Sequence, residues 1–227
     1  MSEISSMQNV VASICRATEV GGSVIIKQLH GTGFFINEDG FFLTAKHVIQ
    51  KGLLDIDENG GFLVFCPYVD KAIGFRVVKI DSYEFAPKNF DIAICQSKIK
   101  SQTFYRFENS YVGPWKDVAT HGYPASIVQK TISEFKIQTR YHKGYIQREV
   151  PKGRMLEGNN PPLFELSFPI TLGLSGSPLF IHGQPHDILI GVCVGTTQSE
   201  LVLYEETDIE EDGKKYAEKT IKVEEFE

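Results

Sequence analysis

The sequence predicts an all-β protein, on three observations. Short apolar runs of strand length, bounded by glycine, proline, asparagine or aspartate, recur along nearly the whole chain. Over residues 131–141 the alternation is regular: Phe135, Ile137, Thr139 and Tyr141 share one face, and Glu134, Lys136, Gln138 and Arg140 the other, as in a half-buried strand. No long amphipathic helix and no internal repeat is discernible.

In chain order, residues 24–26, 32–36 and 41–43 read as strands, with Glu38-Asp39-Gly40 as the hairpin turn between the last two. Residues 45–50 read as a short helical turn carrying His47. Strands are expected at 62–65, 75–80 and 92–95, before the half-buried strand at 131–141. Pro161-Pro162 and Pro169 break the chain, and strands follow at 178–181 and 188–194, around His182-Gly183-Gln184-Pro185. The polar and aromatic stretch 101–114 marks the domain boundary, which divides the chain into 1–105, 106–204 and an acidic tail, 205–227.

Composition bounds the function. A chain of 227 residues with 42% hydrophobic content can bury one large core or two small ones. No stretch approaches the roughly 18 apolar residues of a membrane span. The opening residues lack the basic-then-apolar pattern of a secretory signal, so either the protein stays in the cytoplasm or the sequence is trimmed at its start. Cys15, Cys66, Cys95 and Cys193 lie in apolar or strand-like contexts and read as reduced core thiols, which favours a cytoplasmic location. No pair has the spacing of zinc ligands, and neither a metal nor a cofactor is expected. Residues 205–227 hold ten acids against four lysines, which accounts for the whole net charge of −6. An acidic segment on a neutral body disfavours nucleic acid. It reads either as a solvated terminus or as a docking segment for a regulatory protein partner with a basic surface.

The chemistry lies in three segments: Thr44-Ala45-Lys46-His47-Val48, Asn89-Phe90-Asp91-Ile92-Ala93 and Gly173-Leu174-Ser175-Gly176-Ser177-Pro178. A nucleophilic serine needs a base to take its proton and a carboxylate to orient that base, and these segments supply all three at spacings of 44 and 84 residues. The order histidine, aspartate, serine is that of the double-barrel proteases, not of subtilisins or α/β-hydrolases.

At these residues, at Gly31-Thr32-Gly33-Phe34-Phe35-Ile36 and at Ile190-Gly191-Val192-Cys193-Val194-Gly195, the chain resembles the chymotrypsin-like serine peptidases, in particular small intracellular and HtrA-like members. The resemblance spans roughly residues 20 to 200. It implies two six-stranded antiparallel β-barrels with the active site in the cleft between them. It also implies Ser175 as nucleophile, His47 as general base and Asp91 as its orienting carboxylate, with the N–H groups of Gly173 and Ser175 as the oxyanion hole. The primary pocket would be walled by Ile170, Thr171 and Leu172 before the serine and by Val194, Gly195 and Thr196 after it. Pro169 stands where trypsins carry the pocket-floor acid, so an uncharged apolar or small side chain is expected before the cut.

Three positions depart from the family pattern. Ser177 replaces a glycine, Leu174 replaces the aspartate that captures a new N-terminus in digestive trypsins, and residues 201–226 admit a hairpin about Asp212-Gly213 in place of a C-terminal helix. His121, His142, His182 and His186 read as turn or surface histidines, and Tyr105, Phe107, Tyr111 and Trp115 as packing between the barrels. Two functions follow: a serine endopeptidase acting on a protein or peptide substrate, or a catalytically idle module that holds a peptide in the same groove.

Overall fold

The computed structural model describes residues 9–70, 74–87, 90–101, 103–107, 111–130, 135–153, 161–182, 187–195, 198–202, 208–211, 214–217 and 222–226. The chain divides into two compact units, Met1–Gly195 and Thr196–Glu227.

The first sheet contains β1 (Val11–Val20), β2 (Ser23–Phe35), β3 (Phe41–Thr44), β4 (Phe62–Asp70), β5 (Gly74–Phe75), β6 (Val78–Phe85) and β7 (Ala93–Ser97). Its pairings run β1-β2-β3-β7-β6-β4, and β4 pairs antiparallel with β1, so six strands form a closed ring with β5 added beside β4. β1 was not anticipated from the sequence. It pairs on both edges, with β2 and with β4, and Val11, Ala12, Ile14, Cys15 and Ala17 all enter the first core, so the strand shows little polar–apolar alternation. The turn before β3 is built as expected, with Asn37 Oδ1 accepting from the N–H of Asp39 and of Phe41 and Gly40 at φ +84°.

The expected short helical turn is α1 (Lys46–Asn59), fourteen residues long, which also corrects the reading that the chain has no long helix. Val48, Ile49 and Gly52 bury its inner face, and Asp55 accepts from Arg16 Nε of β1 at 2.7 Å, so tertiary contacts extend it well beyond His47. Inside the ring, Phe65 stacks on Phe42 at 3.9 Å and meets Phe35 edge-on at 5.0 Å. Such aromatic pairs add about 0.5–1.5 kcal/mol each beyond area burial.

The second sheet begins with β8 (Arg106–Phe107) and β9 (Asp117–Gly122). A separate short pair, β10 (Gln129–Lys130) with β11 (Phe135–Lys136), precedes β12 (Arg140–Val150), β13 (Leu163–Leu166), β14 (Pro178–Ile181) and β15 (Ile188–Val192). The order is β13-β12-β9-β14-β15-β8, six strands as expected. Two features depart from an antiparallel barrel: β15 pairs parallel with β8, and among the described residues no pairing joins β13 to β8.

The single strand expected at 131–141 is corrected as well. The chain leaves the β10–β11 pair after Lys136 and re-enters a strand only at Arg140. Burial still alternates, with Ile137 inside and Lys136 and Gln138 outside, but Tyr141 is 49% exposed. In the boundary segment only Tyr105 packs as expected, against Phe34 and Phe180. Phe107, Tyr111 and Trp115 are exposed, Trp115 by 80%, while their neighbour Val112 packs into the second core.

In the second unit, β16 (Gln198–Val202) pairs with β19 (Lys222–Phe226), and β17 (Asp208–Glu211) with β18 (Lys214–Ala217). The strands flanking Asp212-Gly213 thus pair as a hairpin would require, with Glu211 opposite Lys214; the two turn residues lie outside the described ones.

All four cysteines are buried and free. Burial pushes the Cys95 thiol up to about 12, and the Cys193 thiol likewise to about 12 despite its bond to the Thr120 hydroxyl. Neither is a reactive thiolate at neutral pH. Among the described residues no helix is long and apolar enough to cross a membrane, and no cluster of histidine, cysteine or carboxylate side chains could hold a metal ion.

Candidate active site

The N-cap position of helix α1 is Ala45, whose side chain cannot cap the free N–H groups of a first turn. Asp91, from the approach to β7, supplies the cap. Its Oδ1 accepts from the backbone N–H of His47 at 2.8 Å, and its own carbonyl accepts from the N–H of Lys46 at 3.2 Å. The other carboxylate oxygen, Oδ2, accepts from His47 Nδ1 at 2.6 Å.

One carboxylate therefore caps the helix and orients the imidazole. Partial burial opposes its charge. The two His47 hydrogen bonds and the neighbouring His47 and Lys46 outweigh that burial and hold the carboxyl below the usual range. An ionised carboxylate only accepts, so the neutral imidazole carries its proton on Nδ1 and keeps the Nε2 lone pair for a base's work. Both side chains stay partly open, His47 at 26% and Asp91 at 33%.

The serine turn is tied down through its backbone. The N–H groups of Leu174, Gly176 and Ser177 donate to Thr171 O, Cys193 O and Leu174 O at 3.0, 2.7 and 2.9 Å. Those of Gly173 and Ser175 donate to no acceptor among the described residues. Two unengaged donors two residues apart, on a turn whose other N–H groups are spent, suit a developing oxyanion. The turn depends on glycine. Gly173 and Gly176 lie at φ +92° and +87°; a Cβ at Gly173 would strike the Tyr123 carbonyl, and one at Gly176 the Thr32 carbonyl and the Thr44 hydroxyl. Those contacts seat the turn against Thr44 and Ala45, where the His47 helix begins. Ser175 is half-buried, and its carbonyl accepts from the N–H of Thr32 at 2.9 Å.

Residues 31–185 match the trypsin-like peptidase domain. The chain belongs to that family. Among solved structures it is similar to the Rv3671c protease from M. tuberculosis in its active form, with 18% identity and a TM-score of 0.53 over 86% of this chain and 73% of that one. The inactive form of the same protease aligns at 16% identity and a TM-score of 0.50, over 78% and 75% of the two chains. At that identity the likeness is one of fold, a chymotrypsin-like arrangement of antiparallel sheets. No curated protein matches.

The family's departures have physical explanations in this trypsin-like domain. Ser177 is fully buried and faces Gly122, where a Cβ would strike its hydroxyl, so the small residue at 122 makes room for the serine at 177. Leu174 is fully buried in the second core with Leu179, Ile146 and Phe168, an apolar setting for the residue that is an aspartate in trypsins. Of the expected pocket residues, Thr171 and Leu172 are exposed and Val194 is partly buried, as wall residues can be. Gly195 is exposed, with open space where a side chain would stand. Ile170 is only 8% exposed and belongs to the second core, and Thr196 lies outside the described residues.

The reading of His121 is corrected: it is not a surface residue but fully buried, its ring stacked on Tyr141 at 5.1 Å and edge-on to Phe180 at 5.8 Å. His182 is exposed, as expected of a surface histidine, and pairs with Asp187 at 2.7 Å. His142 is partly buried against Phe168, ring centroids 5.8 Å apart; His186 lies outside the described residues. Sequence reasoning also missed the part played by Thr32, Thr44 and Tyr123 around the serine turn. The signal was Gly31-Thr32-Gly33, a polar side chain between two small residues.

Acid should unfold the protein in two stages. Burial lowers the pKa of His142, with Arg140 adding to the effect, and lowers that of His30 more than Asp55 raises it. Below about pH 6.5 the unfolded chain therefore binds protons that the native histidines refuse, and stability falls as pH falls. Asp55 and Asp91 are both lowered, their hydrogen bonds outweighing burial, so a second loss follows below about pH 3.8 as those bonds are given up. Urea midpoints measured from pH 8 to 3 should fall in two steps, one below about pH 6.5 and one below about pH 3.8. The variant carrying His30→Gln and His142→Gln should flatten the stretch between pH 7 and 5, and a rise in stability over that stretch would contradict the assignment.

Proposed function

We propose that this trypsin-like domain is a serine endopeptidase that cleaves peptide bonds through an acyl-enzyme. The observation that carries the proposal is the His47–Asp91 pair, with Nδ1 committed to the carboxylate, beside a serine turn whose Gly173 and Ser175 N–H groups are unengaged among the described residues. In this reading Ser175 attacks the carbonyl and His47 takes its proton, then returns it to the leaving amine. Asp91 stabilises the imidazolium, and the two N–H groups receive the oxyanion. No metal or cofactor enters the scheme.

The substrate is a protein or peptide with an uncharged, apolar or small side chain before the cut, since Pro169, Thr171, Leu172 and Val194 bring no charge to the expected pocket. Four free, buried thiols support action in a reducing compartment such as the cytoplasm. Leu174, sealed in the apolar core, cannot receive a new N-terminal ammonium, so control falls to substrate specificity or to a partner docking on the acidic segment after residue 204.

A fluorophosphonate probe tests the proposal. Labelling of the native protein, mapped by mass spectrometry to the peptide containing Ser175, is the expected result. A folded protein that takes no label at Ser175 would instead be a peptide-binding module.

A further inference from the structure

Thr32, on β2 of the first sheet, is fully buried, and each of its polar groups is engaged away from its own strand ladder. Its N–H donates to Ser175 O at 2.9 Å. Its carbonyl accepts from the Thr44 hydroxyl at 2.6 Å. Its hydroxyl donates to Gly173 O at 2.7 Å and accepts from the N–H of Tyr123 at 3.0 Å. The two carbonyls it holds belong to Gly173 and Ser175, the residues whose N–H groups are unengaged among the described residues.

Whether the Gly173 N–H points at an oxyanion depends on the peptide plane between Leu172 and Gly173. Glycine at positive φ opposes rotation of that plane very little, so something else must hold it. On its N-terminal side, Leu172 O accepts from the N–H of Ala125 at 2.7 Å; in a trans peptide this directs the Gly173 N–H the opposite way. On its C-terminal side, the next plane is pinned by the Thr32 hydroxyl on Gly173 O. Gly173 is thus a flexible residue between two tethered planes, one held by each of two elements far apart in sequence.

We propose that Thr32 is a positioning residue of the oxyanion hole, whose hydroxyl fixes Gly173 so that its N–H stays aimed at the developing charge. The inference rests on the reading of Ser175 as nucleophile. Because the hydroxyl acts on the donor's direction and not on substrate, its loss acts on the chemical step.

The test compares Thr32→Val, which is isosteric but has no hydroxyl, with Thr32→Ser, which keeps one. Active sites are counted by fluorophosphonate titration, so that partial unfolding is not mistaken for slow chemistry. Per titrated site, Thr32→Val should lower kcat for a peptide substrate about 100-fold, the scale of losing one oxyanion donor, with KM within a few-fold of wild type. Thr32→Ser should restore most of it. The adduct with a peptidyl trifluoromethyl ketone gives an independent readout by 19F NMR: the hemiketal hydroxyl should ionise at higher pH in Thr32→Val than in wild type.

An unchanged kcat per site, or an unchanged hemiketal titration, would overturn the inference. If Thr32→Val fails to fold, Ala125→Pro removes the other tether at an exposed position and should lower kcat in the same way; unchanged turnover there overturns the two-tether account. A wild-type protein that takes no label at Ser175 refutes the nucleophile itself, a result distinguishable from failure of Thr32 alone.

Discussion

Replacing Ser175 by alanine is expected to abolish covalent labelling and to reduce peptide hydrolysis by about a million-fold, the scale seen when a triad serine is lost. The fold should survive. The turn is held by backbone groups, Ser175 O with Thr32 N–H, Gly176 N–H with Cys193 O and Ser177 N–H with Leu174 O, and none of these needs the Ser175 hydroxyl. Circular dichroism and the thermal midpoint should therefore match wild type while kcat/KM falls to background. The neighbouring serine is the control. Ser177 is buried against Gly122, with no hydrogen-bond partner for its hydroxyl among the described residues, so Ser177→Ala should keep both labelling and turnover. The reverse pattern would assign the nucleophile to Ser177.

Asp91→Asn should lower kcat by about 10⁴-fold with little change in KM. The carboxylate now accepts two hydrogen bonds, from His47 Nδ1 and from the His47 backbone N–H. An amide has one oxygen to accept with. If the oxygen keeps the backbone N–H, the amide nitrogen faces Nδ1 and is satisfied only when Nδ1 is the lone pair, which places the ring proton on Nε2 and removes the base. If the oxygen instead faces Nδ1, the first turn of α1 loses its cap, at a cost of about 1 kcal/mol. Steady-state kinetics and the urea midpoint of the same variant report on the two outcomes. A loss of less than tenfold in kcat with an unchanged urea midpoint would show that Asp91 does not orient the base.

The features legible in the sequence were those written in local chemistry. Glycines 173 and 176 signalled a turn that no other residue tolerates, and both lie at positive φ. The strands at 41–43 and 178–181 were visible because apolar runs ended at turn-forming residues, and they appear within a residue of the expected limits. His47 and Asp91 were nominated by residue type and order, and the structure brings them to 2.6 Å. Other features were hidden because their cause lies elsewhere in the chain. α1 was underestimated because its capping group is Asp91 and its later turns are held by Arg16. His121 looked like a turn histidine beside Gly122, yet it is buried because Tyr141 and Phe180, from other strands, pack on its ring. A strand at β1 was missed because neighbouring residues such as Val11, Ala12, Ile14 and Cys15 are all buried, so apolar and polar positions do not alternate.

By itself the sequence determined an all-β chain carrying a histidine, an aspartate and a serine in the order of the trypsin-like peptidases, with four cysteines and no charge on the expected pocket segments. Those properties follow from side-chain chemistry and from backbone stereochemistry over a few residues. Only the tertiary structure decided which distant groups meet. The return of β4 to β1 closes the first ring, Asp91 reaches back 44 residues to cap the His47 helix, and Thr32 reaches forward 141 residues to hold Gly173. The physical reason is that a buried hydroxyl or carboxylate must find a partner, and strand register selects which one comes within hydrogen-bonding distance.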